Sequence, residues 1–181
     1  GLVVGDSGSF YVIVTQNTYH GGSVYLRRLA ANGAFVSQSA GATLGYYTQS
    51  TPYIPAANPH NATNGAQLWG PRGVRHSDGA LSVAMTSKTH LTGQNPPKQR
   101  GWIGHWNSAG APAWTWLSPY STYYNYGLID VEDRAQGGVV GGGARGAGNL
   151  ASGWFFALDK NGKLQWEKLW TGLGYGVDAV A

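Results

Sequence analysis

A glycine-containing turn between apolar segments occurs three times in this chain and constrains the fold more than any other sequence feature. In the third copy the apolar run WFFAL at residues 154–158 precedes the turn DKNG at residues 159–162, and Leu164, Trp166 and Leu169 continue the apolar pattern. Apolar segments on both sides of an Asn-Gly pair predict a β-hairpin, because both positions tolerate the positive φ angles of tight hairpin turns.

The three copies share more than the turn. When Gly33, Gly110 and Gly162 are aligned, aromatic and leucine residues recur at fixed distances from them. The recurring sets are Tyr25, Trp102 and Trp154; Leu29, Trp106 and Leu158; and Trp114 with Trp166, at whose position the first copy has Ser37. Fixed positions of this kind are typical of core residues. The tryptophans predicted to be buried are Trp102, Trp106, Trp114, Trp154 and Trp166, and those that could be exposed are Trp116 and Trp170.

A second turn glycine precedes each hairpin, at Gly8, Gly79 and Gly137, and a short apolar segment follows it. Each repeat is therefore expected to hold four antiparallel strands, which is typical of propeller blades. The predicted fold is all-β and propeller-like, with blades at about residues 1–70, 71–126 and 127–175 and an additional strand at residues 176–181. A meandering β-sandwich with coincidental similarity among the repeats is the alternative.

The sequence ALDKNGKLQW at residues 157–166 resembles the tryptophan-docking motif of pyrroloquinoline-quinone-type propeller repeats. It is also similar to repeats of bacterial secreted and surface propellers. The first two copies depart from this motif, with AANG at residues 30–33 and NSAG at residues 107–110 in place of the Asp turn. The resemblance covers the docking motif and not a cofactor cage, so we predict no cofactor.

Three blades and one additional strand cannot close a ring of the usual four to eight blades. We therefore expect two chains to form a six-bladed propeller as a homodimer, in which the last strand of one chain completes the first blade of the other. The alternative is a fragment of a longer propeller.

The composition favours an extracellular or cell-surface protein. Only 11% of the residues are charged, and glycine (29) and tyrosine (11) are abundant, whereas about 25% charged residues is usual. The net charge of +4 reflects few acidic residues (8) rather than clustered basic ones, so no nucleic-acid partner is expected. No apolar run is long enough for a membrane span. The chain begins at Gly1, which favours a processed, secreted protein or an excised piece.

Strand parity places the long connections at one end of every blade, and loops of this kind often carry binding sites. This long-loop face contains aromatic rings and directional hydrogen-bonding groups, a combination that suits sugar rings or extended peptides. The predicted ligand-binding residues are Tyr46, Tyr47, Trp69, His90, Arg100, Tyr120, Tyr123, Tyr124, Asn125 and Arg145. The resulting hypothesis is a lectin-like, adhesive binding module; the alternative is a scaffold without a small ligand, whose tyrosines only pack the loops.

Catalysis has less support. A glycosidase or polysaccharide lyase needs paired carboxylates, or Tyr with His or Arg, near one substrate, and acidic residues are nearly absent from the long-loop face. A lyase site built from His90, Tyr123 and Arg100 stays open, but no catalytic residue is assigned. The acidic segment at residues 130–133 lacks the alternation of a calcium loop, and His105 is expected to be packed in a strand, so no metal site is predicted.

Overall fold

The computed structural model describes residues 1–18, 21–44, 46–48, 51–54, 67–89, 98–119, 125–134, 137–147 and 150–170. Within these ranges the chain is almost entirely β-strand, and its one short helical element is a 3₁₀ turn at Asp6–Gly8. The all-β prediction is confirmed. In this part of the chain no helix is long and apolar enough to cross a membrane.

The first sheet contains five strands. Strands β1 (Leu2–Val4), β2 (Phe10–Thr18), β3 (Gly21–Leu29) and β4 (Phe35–Gln38) pair in chain order, and β5 (Ala42–Leu44) also pairs with β3. A separate two-stranded ribbon follows, made of β6 (Tyr46–Thr48) and β7 (Thr51–Ile54).

The second and third sheets contain four strands each, again paired in chain order. The second sheet consists of β8 (Gln67–Arg75), β9 (Leu81–Thr89), β10 (Lys98–Trp106) and β11 (Pro112–Leu117). The third sheet consists of β12 (Asn125–Arg134), β13 (Gly138–Ala147), β14 (Leu150–Leu158) and β15 (Leu164–Trp170). All strand pairs are antiparallel. The described residues thus form three antiparallel sheets, whereas the blade boundaries and ring closure stay predictions. The additional strand predicted at residues 176–181 lies outside the described residues.

Turn glycines connect the strands at one end of the sheets. Six described glycines have positive φ, and they are the two sets identified by the repeat: Gly8, Gly79, Gly137, Gly33, Gly110 and Gly162. In the third hairpin Gly162 N–H donates to the Asp159 carbonyl at 2.9 Å, and Asp159 N–H donates to the Lys163 carbonyl at 2.9 Å. This pattern and the register shift after Ala157 match a three-residue hairpin loop with a glycine bulge. Only the glycine of the Asn-Gly pair takes a positive φ.

Two of the connections predicted to be long, at residues 16–22 and 143–152, are strand in all of their described residues. Strand pairing runs from Phe10↔Leu29 to Thr18↔Gly21 between β2 and β3, and from Val139↔Leu158 to Ala147↔Leu150 between β13 and β14. Each of these pairs of strands is separated by only two residues along the chain. The strands are longer than expected because their glycine-rich and polar ends still satisfy their backbone groups in the sheet ladder.

The hydrophobic core consists of two layers, one on each side of the second sheet. Val3, Ile13 and Leu26 of the first sheet pack with Met85 and the other residues of the first layer. In the second layer Ile103 of the second sheet packs with Val139 and other residues of the third sheet. Because strand side chains alternate between faces, the second sheet is covered on both faces and the sheets stack in the order first, second, third.

The stack determines which tryptophans are buried. Trp102, Trp106 and Trp154 are at most 1% exposed, as predicted, and Trp114 is partly buried. Trp166 is 40% exposed, so the prediction that this residue is buried is wrong. Trp116 is also partly buried because it stacks on Phe156 with ring centroids 4.7 Å apart. Trp170 is 61% exposed, as the repeat allowed.

Candidate functional site

Six of the ten predicted ligand-binding residues belong to strands. Tyr46 and Tyr47 lie in β6, Trp69 in β8, Arg100 in β10, Asn125 in β12 and Arg145 in β13. The other four, His90, Tyr120, Tyr123 and Tyr124, lie outside the described residues. The long-loop face as a binding surface therefore stays a prediction, and residues 143–147 and 150–152, which were assigned to it, belong to strands.

Two of these residues make contacts within their own sheets. Both Arg100 Nε, at 2.8 Å, and Arg100 Nη2 donate to the Ser118 carbonyl, which ties β10 to the end of β11. The Arg145 guanidinium lies 5.4 Å from the centre of the Tyr126 ring and 3.8 Å from Glu167 Oε1. Both arginines thus stabilise their sheets as well as lying near the predicted face.

The fold assembles a chain of hydrogen-bonded polar side chains that no sequence motif indicates. Asp133 Oδ1 lies 2.5 Å from His76 Nδ1, and His76 Nε2 lies 2.8 Å from Ser82 Oγ. Ser82 Oγ also lies 2.9 Å from His105 Nδ1. His76 follows β8 and Asp133 belongs to β12, so this chain joins the second and third sheets.

One proton arrangement satisfies every member of the chain. We assign His76 Nδ1–H as donor to the Asp133 carboxylate and the Ser82 hydroxyl as donor to His76 Nε2. Ser82 Oγ then accepts from His105 Nδ1–H, so each contact has one donor and one acceptor. Buried polar groups that are fully paired in this way hold two elements in one relative position.

An Asp, His and Ser in this order resemble the catalytic relay of serine hydrolases, in which histidine activates the serine hydroxyl. The Ser82 side chain is 0% exposed, however, and its oxygen lies between two imidazoles. A nucleophile must reach a substrate carbon, which an enclosed hydroxyl cannot do. The arrangement therefore supports a structural role.

His105 is held neutral by its surroundings. Burial, followed by the neighbouring His76, lowers its pKa from the ordinary 6.5 to about 4, while Asp78 acts in the opposite direction. Its ring stacks on Trp114 with centroids 4.8 Å apart and an interplanar angle of 4°. Trp114 Nε1 in turn donates to the Lys160 carbonyl at 2.9 Å, in the turn of the third sheet. The prediction that His105 is a packed strand residue is consistent with its 8% exposure.

The two imidazoles lie 5.1 Å apart, but they do not form a metal centre with a third ligand. No group of three His, Asp or Glu side chains in the described ranges is arranged to hold a metal ion. Asp133 is exposed and at the same time contacts His76. His76 carries no motif, and only the packing of β12 on the second sheet brings Asp133 to it.

The strongest candidate for intermolecular binding is the outer face of the third sheet. Strand register places Phe155, Trp166, Lys168 and Trp170 on this face, because their Cα partners are Lys168, Ala157, Phe155 and Gly153 respectively. They line an open groove of about 520 Å³ together with Leu169 at its rim. The two exposed indoles can stack on a flat apolar group of a ligand, and the Lys168 ammonium group can bind a polar group beside it.

The outer face of the first sheet is also apolar. Leu2 and Val4 of β1 are 60% and 72% exposed, whereas Val3 between them is buried against the second sheet. Their Cα partners Val12 and Phe10 lie on the same outer face. Both ends of the stack of sheets thus expose apolar side chains.

Comparisons with known proteins identify no family. No protein-family model matches this chain, and no curated protein matches its sequence.

Proposed function

We propose that this chain is a non-catalytic binding module whose first function is assembly with a second copy of itself. The third sheet of one copy stacks on the first sheet of the other, and the same contact formed reciprocally gives a twofold dimer. The observation that carries this proposal is the exposure of Trp166, at the repeat position where Trp114 makes a contact between sheets.

The internal contact of Trp114 serves as the template. Strand register pairs Trp114 with His105, and the indole donates to the turn carbonyl of Lys160 in the next sheet. A Cβ atom on Gly162 would lie only 2.7 Å from Trp114 Cε3, so the ring rests directly on this turn. The contact therefore consists of an indole on a glycine turn of the following sheet.

Trp166 has the same register but no following sheet to cover it among the described residues. It pairs with Ala157, at the position where Trp114 pairs with His105. The corresponding turn of the first sheet has room for such a contact, because nothing lies within 4 Å of a Cβ placed on Gly33. We infer that Trp166 of one copy packs on the Gly33 turn of a second copy.

The apolar surface around these residues is consistent with the same contact. Trp170 extends the outer face of the third sheet, and Leu2 and Val4 extend that of the first. Burying such side chains on association is favourable by about 25 cal/mol for each Å² of apolar surface removed from water. Head-to-tail contacts of this kind close into rings when the rotation between copies allows it, and two three-sheet chains are the smallest ring expected from the repeat.

Light scattering on a sizing column tests the assembly. We expect a molar mass near twice 19.2 kDa for the chain, and a mass near that of one chain for Trp166→Ser, which gives the third sheet the residue that the first has at Ser37. Gln165→Ser is the matched control, because it changes an exposed residue of the same strand that does not line the groove. A folded monomer of the unaltered chain at all concentrations would overturn the proposal.

Glycan binding is the second candidate function, favoured by the groove that holds Trp166, Lys168 and Trp170. Exposed indoles stack on sugar rings, and the low charge content of the chain is consistent with an extracellular or cell-surface location. A glycan array with the unaltered chain and Trp170→Ala tests this function, since we expect bound glycans to be lost in the variant. An array on which the two proteins give the same signal would contradict a site in this groove.

A further inference from the structure

A second surface feature lies between the first and second sheets, away from both outer faces. It is a cleft of about 330 Å³ whose walls include Tyr11, Leu26 and Arg28 on one side and Leu81 with the turn at residues 107–111 on the other. Ser37, Gln38 and Ser39 also line it. The cleft is part apolar wall and part polar rim, as is usual for small-molecule sites.

The cleft exists because the first repeat lacks the docking tryptophan. Arg28 pairs with Ser37 in the first sheet, whereas the equivalent pair in the second sheet is His105 with Trp114. Trp114 fills the space beside Gly162, and its Cε3 would lie 2.7 Å from a Cβ there. At Gly110, the equivalent turn glycine facing Ser37, nothing lies within 4 Å of such an atom. The cleft therefore contains the space of a missing indole.

Arg28 supplies an unpaired cation to this space. Its Nε is buried and has no hydrogen-bond partner. Within the described part of the chain, the ion pairs are Arg75–Asp6, His76–Asp133 and Arg145–Glu167, and none involves Arg28. Its neighbour Arg27, on the opposite face of β3, donates from Nε to Gln38 Oε1 at 2.8 Å. A buried guanidinium nitrogen without an acceptor is rare in folded proteins, so an acceptor from outside the chain is the simplest explanation.

We propose that this cleft binds a small carboxylate that carries a flat aromatic ring. The ring occupies the place of the missing indole, between Leu26 and Leu81 on the walls and over the Gly110 turn. The carboxylate accepts hydrogen bonds from the Arg28 guanidinium, whose planar fork suits two carboxylate oxygens. The Ser37 hydroxyl, opposite Arg28 in the sheet, lies where it can donate to the same oxygens.

The cleft needs both the carboxylate and the aromatic ring of this ligand. An inorganic anion would satisfy Arg28 but leave the apolar walls against water, whereas a neutral ring would fill the walls and leave Arg28 Nε without an acceptor. The binding site lies within one chain, so it does not depend on the outer faces used for assembly.

Isothermal titration calorimetry with indole-3-acetate tests the site, because this molecule combines an indole with a carboxylate. We expect saturable binding with one ligand per chain, and binding at least about tenfold weaker for tryptamine, which carries a cation in place of the carboxylate. Equal binding of tryptamine and indole-3-acetate, or no heat from indole-3-acetate at millimolar concentration, overturns the proposal. This comparison uses only the unaltered chain, so it does not depend on whether any variant folds.

Variants then locate the site. Arg28→Gln is expected to weaken indole-3-acetate at least about tenfold, while Arg27→Gln, its exposed neighbour, is the matched control and leaves the affinity unchanged. Ser37→Trp restores the indole within the chain, so we expect it to abolish indole-3-acetate binding and raise the melting temperature. Unchanged affinity in both Arg28→Gln and Ser37→Trp would place the ligand elsewhere and contradict the proposal.

The same titration on Trp166→Ser separates this inference from the proposed assembly. We expect the monomeric variant to bind indole-3-acetate as the unaltered chain does. Loss of assembly with retained binding supports an independent cleft, whereas loss of both in a folded variant contradicts it.

Discussion

At the scale of single residues, equivalent turn glycines have different surroundings. Gly110 and Gly162 have φ values of +79° and +75°, which L-residues with a side chain rarely adopt. They differ in what a side chain would meet, since Trp114 lies against Gly162 and open space lies at Gly110. Both turns therefore need a residue with positive φ, but only the Gly162 turn is packed against another side chain.

Alanine at each of these glycines separates the two contributions. Gly110→Ala is expected to lower the free energy of unfolding by about 1–2 kcal/mol, from the left-handed backbone alone. Gly162→Ala is expected to cost about 1–3 kcal/mol more, because the Trp114 ring must also move. Urea denaturation measures both, and the additional cost should vanish in a Trp114→Ala background; an equal cost at both glycines would contradict the contact.

At the scale of strands and sheets, a small number of buried polar groups connects the layers. Thr86 Oγ1 of β9 donates to the Leu128 carbonyl at 3.1 Å and accepts from Leu128 N–H at 2.9 Å. The register of β12 against β13 shifts between Leu128 and Asp130. A side chain of the second sheet thus satisfies backbone groups of the third sheet next to an irregularity in its ladder.

Removing this hydroxyl should be costly. Thr86→Val keeps the shape but leaves the Leu128 N–H and carbonyl without this partner, so we expect a loss of about 1–3 kcal/mol in the free energy of unfolding. Thr115→Val is the control, because Thr115 is exposed on β11 and its change should stay within about 0.5 kcal/mol. Chemical denaturation measures the free energy of unfolding of both variants. Equal values would show that the Thr86–Leu128 hydrogen bonds contribute nothing to stability.

Acid should weaken the same interface through His105. Burial lowers the pKa of His105 from 6.5 to about 4 in the folded chain. Below pH 6.5 the unfolded chain therefore takes up a proton that the folded chain does not. The free energy of unfolding is expected to fall as the pH decreases from 6.5 to about 4. Below about pH 4, His105 should cause no further decrease.

Melting temperatures measured across this pH range test the effect of His105, with His105→Gln as comparison. The other titrating groups near it, His76, Asp78 and Asp133, remain in both proteins, so the difference between the two pH profiles isolates His105. Parallel profiles would mean that His105 is not held neutral in the fold.

At the scale of the whole molecule, three sheets of the described chain form a stack in which both faces of the middle sheet are covered. The end faces expose Leu2, Val4, Trp166 and Trp170, so the described part of the chain leaves apolar surface at both ends. Assembly couples stability to concentration, because association removes folded chains from the unfolding equilibrium. The melting temperature should therefore rise with the concentration of the unaltered chain.

Differential scanning calorimetry over a hundredfold concentration range makes this measurement. We expect the melting temperature of Trp166→Ser to be independent of concentration, and that of Gln165→Ser to rise as in the unaltered chain. A concentration-independent melting temperature in all three proteins would contradict assembly through the outer faces.

Sequence determined the local structure of this chain. The positions of Gly8, Gly33, Gly79, Gly110, Gly137 and Gly162 predicted every described positive-φ glycine. The strands between them followed from the apolar segments that flank each turn. These features depend on backbone sterics and side-chain alternation within a few residues, so they can be inferred without knowing what the segment packs against.

Tertiary structure alone decided which residues meet across the sheets. His76 and Asp133 are 57 residues apart, and only the stacking of β12 on the second sheet brings them into contact. The repeat placed Trp114 and Trp166 in equivalent positions, yet a following sheet covers one and leaves the other exposed. The substitution of Ser37 for tryptophan was visible in the sequence, but its consequence, an open cleft beside an unpaired Arg28, depends on the neighbouring sheet. Burial and pairing are properties of both surfaces in a contact, and one strand pattern specifies only its own side.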